Sequence, residues 1–289
     1  MRVFAGYVVV LLSVFGGYAL LGGNFGALYQ PMEFLMIAGA AVGAFVAGNN
    51  GKTIRATLKE LPALLKSPRH DKALYMELMA LLYVLLAKGR KEGMLMLEAD
   101  IDDPANSPVF AQYPAIQSES RLVEFLTDYL RLVISGNANA FEMESLMDHE
   151  IETYKHENEI PSHALARTGD ALPALGIVAA VMGVVHALAS ADLSPQEMGQ
   201  MIAHAMVGTF IGVLLAYGFV WPLASVIEQH VAESTKPYQC IKVTLLASLN
   251  GYAPQLAVEF GRKVLYSTER PSFVELDDHV RQVKAGSAA

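Results

Sequence analysis

His186, His204 and Thr209 stand out because they sit in stretches otherwise stripped of groups able to do chemistry. In the long apolar parts of this 289-residue chain, the other polar candidates are Ser13 and tyrosines such as Tyr217. Imidazole binds metals, but a metal site needs further histidines or carboxylates, and neither histidine has one close by in the chain. Hydrogen bonding at an interface, or lining an outer vestibule, suits the pair better. No nucleophile–base pair, phosphate-cradling glycine loop or Cys/His cluster is legible, so no enzyme, cofactor or metal is expected. Cys240 is the only cysteine, which excludes an intramolecular disulfide.

The elements that position these residues are defined by missing charge. Four stretches, 3–32, 34–51, 171–191 and 198–227, contain no Asp, Glu, Lys or Arg. A helix needs about 20 apolar residues to cross a hydrocarbon core roughly 30 Å thick. Stretch 171–191 meets that length and 198–227 exceeds it. Stretch 34–51 is shorter, but Glu33 and Lys52 bound it cleanly. Gly22, Gly23 and Asn24 divide the first stretch and leave 3–21 as its span. Only Arg2 flanks that span, and no small-residue cleavage pattern follows, so it reads as a membrane helix rather than a removable leader.

The basic residues are sorted to one side. They are Arg2, thirteen residues between 52 and 167, and seven between 236 and 284. The short connectors between paired spans contain none. The positive-inside rule therefore predicts a four-pass protein with both termini and the middle block in the cytoplasm. The expected segments are a hairpin over 1–51 (spans 3–21 and 34–51), a helical cytoplasmic domain over 52–170, a second hairpin over 171–227 (spans 171–191 and about 199–222), and a cytoplasmic tail over 228–289. A net charge of −8 argues against nucleic acid as a partner.

The fold is expected to be all-α, because no strand-like alternation is sustained anywhere. Helices are predicted over 71–91, 118–134 and 141–159, the last closed by Pro161. Pro237 should interrupt a helix that otherwise continues from the fourth span. Residues 250–273 read as short helices with turns, and 282–289 as frayed.

Counting 1.5 Å per residue along an antiparallel hairpin places His186 and His204 at one depth near the outer surface. It sets Ala180 level with Thr209 near mid-membrane, and Pro173 and Pro222 together towards the cytoplasmic end, a matched pair of weak points suited to a hinge. Small residues recur every four positions: Gly39, Gly43 and Ala47; Ala179, Gly183 and Ala187; Gly208, Gly212 and Ala216. Such stripes let helices approach closely in lipid, within one subunit or between several. Ion movement across a membrane needs a titratable or coordinating group inside it. With no carboxylate or basic side chain expected inside any span, an essential acid would have to come from another chain.

The run Ala205-Met206-Val207-Gly208-Thr209-Phe210-Ile211-Gly212-Val213-Leu214, with Pro222 eight residues later, resembles the signature of the MotA family of flagellar stator proteins. So do Gly48-Asn49-Asn50-Gly51-Lys52, Asp170-Ala171-Leu172-Pro173-Ala174 and Val258-Glu259-Phe260-Gly261-Arg262-Lys263. The resemblance covers nearly the whole chain and points to the enterobacterial, proton-driven type. It implies an inner-membrane ring of five subunits around two copies of MotB, whose helix carries the proton-binding aspartate, acting on the rotor protein FliG. It also implies that Pro173 and Pro222 couple proton binding to movement, that Thr209 lines the path, and that Arg90 and Glu98 meet the rotor. Sodium-driven relatives carry Thr at the position of Ala180, so a methyl there favours protons. Two other readings compete with this one. One is an ExbB- or TolQ-like energiser of outer-membrane processes, which has three spans rather than four. The other is a non-conducting membrane scaffold.

Overall fold

The computed structural model describes residues 2–63, 70–136, 139–189 and 194–286. Helices follow one another as α1 (Arg2–Leu20), α2 (Phe25–Leu28), α3 (Pro31–Gly48), α4 (Gly51–Ala63), α5 (Lys72–Glu92), α6 (Glu98–Asp102), α7 (Pro114–Gln117) and α8 (Ser120–Ile134). After them come α9 (Ala140–Ala189), α10 (Pro195–Leu215), a π-turn over Ala216–Val220, α11 (Trp221–Ser234), α12 (Lys236–Leu249), α13 (Pro254–Val264) and α14 (Phe273–Gly286). There is no strand among the described residues. The protein is an all-α, membrane-embedded chain with four helical segments long and apolar enough to cross a bilayer. Two compact units form, one from residues 1–67 and 158–229, the other from 68–157 and 230–289. The two apolar hairpins, separate in sequence, fall together in the first.

Within the first unit, α9 and α10 are held at backbone distance by glycine. A Cβ at Gly176 would stand 2.7 Å from the Gly208 carbonyl oxygen, and one at Gly212 would stand 2.6 Å from that of Leu172. α3 turns Glu33, Ile37 and Ala41 inward at four-residue intervals. Its Gly39 and Gly43 meet nothing within 4 Å, so the first small-residue stripe is turned away from the rest of its unit. α1 packs through its tyrosine: the Tyr7 hydroxyl donates to the Phe219 carbonyl at 2.8 Å, and the two rings lie 4.9 Å apart. α10 opens with a capping box in which Ser194 and Glu197 satisfy each other's end of the helix.

The second unit is built like a water-soluble domain. Asp71 caps α5 by accepting from the Leu74 amide at 2.9 Å, and Gly93, at φ +99°, stops it. Leu78, Leu82 and Leu85 of α5 are fully buried with Phe125 and Leu126 of α8, Ile241 and Leu245 of α12, and Val258 of α13. The run at 258–263 has a structural reason within this unit. Gly261 lies against Thr244 and the Cys240 carbonyl, where a side chain would collide. Arg262, only 6% exposed, pairs with Glu259 at 2.6 Å and donates to the Pro271 carbonyl at 2.8 Å.

Two boundaries differ from the sequence-based expectation, and the break expected at Pro237 is present. Pro161 does not close a helix at 159; α9 runs on through Pro161 and Pro173 to Ala189. An interior proline costs about 3 kcal/mol. Here Pro161, Ser162 and Ala164 are buried, and the Ser162 hydroxyl donates to the Ala224 carbonyl at 2.8 Å, which offsets that loss. The tail stays helical to Gly286 rather than fraying from 282, while 287–289 and the outer connector at 190–193 lie outside the described residues. Pro237 interrupts the chain at Thr235 by taking an N-terminal position of α12, where a missing N–H leaves nothing unsatisfied.

Candidate functional site

The contact between α9 and α10 gathers most of the residues singled out from the sequence. Gly208, beside Thr209, sits against Ala180: a Cβ on it would lie 3.3 Å from the Ala180 amide nitrogen and 3.3 Å from the Ala179 methyl. A Cβ on Gly176 would meet the Thr209 Cα at 3.3 Å. Thr209 and Ala180 therefore flank one crossing, within a residue of level, and both remain half-buried rather than sealed. Further out, a Cβ on Gly183 would stand 2.6 Å from the Ala205 methyl, so the two positions are level. That pairing sets His186 opposite residue 202, so His186 and His204 differ in level by about 3 Å. His186 is exposed and His204 half-buried. Among the described residues, no group of three or more His, Cys, Asp or Glu is gathered that could hold a metal.

The two prolines are not brought together. Pro173 adjoins Leu172, whose carbonyl faces Gly212. Pro222 lies between Trp221, whose indole donates to Asp170 at 3.2 Å, and Ala224, which accepts from Ser162. Pro222 thus stands about nine residues, or roughly 13 Å, beyond the level of Pro173. Equal-depth counting fails here because α9 continues unbroken below residue 171 and shares a long contact with α10 and α11. The π-turn just before Pro222 was not foreseen. A π-turn shifts the ladder to i→i+5, visible as the Trp221 amide donating to the Ala216 carbonyl, and such turns often mark functional positions. Its sequence trace is a proline that cannot donate to Gly218, next to a glycine that lets Val10 of α1 approach.

One residue overturns an expectation outright. In the sequence Glu33 marks the end of the 34–51 stretch, outside a charge-free interior. Instead it is 7% exposed in the first turn of α3, with its carboxylate facing Gly183 of α9 and Gly208 of α10. Its Oε2 has no hydrogen-bond partner among the described residues. The signal available in the sequence was a lone acid interrupting two apolar runs.

In the second unit, Arg90 and Glu98 are exposed at the end of α5 and the start of α6. A salt bridge that sequence reasoning missed spans the break between them. Lys88 lies 2.6 Å from Asp100, whose side chain is 5% exposed and also accepts from the Ser107 hydroxyl at 2.7 Å. Arg131 of α8 holds the far end of α6 by donating to the Ile101 carbonyl at 2.7 Å and Asp102 at 3.1 Å.

Comparison with known proteins follows this geometry. Residues 4–93 match the family model described as Motility protein A N-terminal, and residues 117–239 that of the MotA/TolQ/ExbB proton channel family. The chain is 61% identical to Motility protein A of Escherichia coli (strain K12), over 98% of this chain and 96% of that protein. It is 59% identical to Motility protein A of Salmonella typhimurium, with the same coverage of both chains. The solved structure of C. jejuni MotAB superposes with a TM-score of 0.75 at 22% identity, covering 94% of this chain and 98% of that one.

Proposed function

This chain belongs to the motility protein A family of MotA/TolQ/ExbB proton channels, and from that membership we propose that it is a stator subunit of the bacterial flagellar motor. With MotB it forms a proton-conducting complex and converts proton flow into torque on the rotor through FliG. The observation that carries this reading is the near-full-length likeness to motility protein A, which includes both units of the fold. Four membrane-length helices support it over a three-span energiser. The chain acts as a channel component, not as an enzyme.

The complex is a homo-oligomer, a ring of five around two MotB helices in the inner membrane, in contact with lipid. The outward-turned Gly39 and Gly43 of α3 suit close approach of a neighbouring helix. MotB supplies the proton-binding aspartate. Thr209 and the methyl of Ala180 line the route, with His186 and His204 at its outer mouth. Pro173 and Pro222 are coupling points at two depths, and the π-turn gives Pro222 a ladder already loosened for movement. Both termini, and the surface bearing Arg90 and Glu98, face the cytoplasm. Each proton crossing supplies about 2.3 kcal/mol per 100 mV. Rotor contacts between exposed charges contribute about 0.2–1 kcal/mol each, weak enough to be broken and remade at every step.

Complementation tests the reading. Expressed in a bacterium that retains MotB but lacks its own motility protein A, this chain should restore swimming. A membrane-inserted, correctly assembled chain that leaves the cells paralysed would count against it.

A further inference from the structure

We propose that Glu33 is a proton-binding station carried by this chain itself, in the outward half of the route, and the proposal rests on the proton-conducting role given above. Glu33 is the one charged residue in α3. Its carboxylate lies against two glycines: a Cβ on Gly208 would stand a tight 3.2 Å from Oε2, and one on Gly183 would be in ordinary contact at 3.7 Å from Oε1. The site is also inside the helical part of the membrane unit. Gly183 lies six residues before the end of α9 and Gly208 thirteen after the start of α10, about 9 Å and 20 Å along those helices.

Few charges face it. From α9 the nearest titratable group is His186, one turn outward of Gly183. From α10 it is His204, one turn outward of Gly208. The exposed Glu197 stands in the first turn of α10, and Arg167 and Asp170 lie more than ten residues inward of Gly183. Burying a carboxylate whose Oε2 has no hydrogen-bond partner is unfavourable, and taking up a proton relieves it. A sodium ion would need several oxygens to replace its hydration shell. Gly183, Ala205, Gly208 and Ala179 offer no side-chain oxygen, so the site fits a proton. In each cycle the carboxyl releases its proton inward towards the partner's acid. It regains one from outer water by way of the histidine pair, so charge and atoms balance.

The test uses this chain with MotB freed of its plug, following internal pH in cells across a series of external pH values. Glu33→Gln should lower proton flux about tenfold and flatten its dependence on external pH, with the amount of assembled complex unchanged. Glu33→Asp should retain part of both. In infrared difference spectra of the reconstituted complex after a pH step, Glu33→Gln should remove one component of the native carboxylic-acid band and leave the component of the partner's aspartate. Unchanged flux and pH profile in Glu33→Gln, or a carboxylic-acid band of undiminished intensity after the substitution, would overturn the proposal. A native complex that passes no protons would instead overturn the parent reading, while the infrared arm still reports whether Glu33 binds and releases a proton.

Discussion

Lys88 and Asp100 form a 2.6 Å salt bridge across the break between α5 and α6, the break that separates Arg90 from Glu98. The Lys88 stem is partly exposed, whereas the Asp100 carboxylate is almost sealed. Lys88→Met should therefore leave a buried, half-satisfied carboxylate and destabilise the second unit by about 3 kcal/mol. Thermal unfolding of the purified complex would read this as a clear drop in midpoint. Asp100→Asn with Lys88→Met together should recover part of the loss, since neither charge is then stranded. An unchanged midpoint in the single variant would show that the bridge is incidental.

Arg90 and Glu98 themselves should behave differently from the bridge that spans the break between them. Both are exposed, so Arg90→Ala or Glu98→Ala is expected to change stability by less than about 0.5 kcal/mol. Torque measured on tethered cells should fall in each variant, while proton leak through the unplugged complex stays at the native level. Loss of torque and leak together would contradict a purely rotor-facing role.

The backbone contact between α9 and α10 leaves no room for a methyl group. Gly212→Ala would place a Cβ 2.6 Å from the Leu172 carbonyl and 3.0 Å from the Gly176 Cα, so the helices must separate. Overpacking of this kind costs about 1–3 kcal/mol. Reduced assembly and conduction are expected together, read by native gel and by acidification. Gly39→Ala, which meets nothing within its own unit, provides the contrast. It should leave the fold of the monomer intact and weaken only association between copies.

Burial pushes the Cys240 thiol up to about 12, against an ordinary value of about 8.5. A folded-state value above the unfolded one means that this group's contribution to stability is complete below the unfolded value and is lost as pH rises beyond it. The second unit should therefore weaken progressively from about pH 8.5 upward. Cys240 should resist alkylation at pH 8 in the intact complex and react readily only after unfolding. Rapid labelling of folded protein at that pH would show the α12–α13 contact to be open.

The four membrane-length helices were legible because lipid imposes a simple rule: long runs without charge become spans. The helices of the second unit were equally plain, since leucines at helical spacing marked α5 and α8 and Gly136 marked the end of α8. What escaped was anything decided by an individual contact. Glu33 read as a boundary because a lone carboxylate beside an apolar run normally snorkels to water. The glycines that accommodate it lie about 150 and 175 residues away. Pro161 read as a stop because helix propensity is local, whereas the Ser162–Ala224 hydrogen bond that stabilises the continuing helix is not. Within the π-turn at Ala216–Val220, the Phe219 carbonyl accepts from Tyr7 of α1, another distant partner. Lys88 and Asp100 are twelve positions apart with a helix break between them, too irregular a spacing to single out as a pair.

The central claim is that this chain walls a proton route which works only with a companion chain. The most direct measurement is cytoplasmic acidification in cells producing this chain alone, with MotB lacking its plug, or with the same MotB after its membrane aspartate is replaced by asparagine. Acidification is predicted only in the second case. Equal proton flux from the chain alone, or from the asparagine variant, would contradict the account.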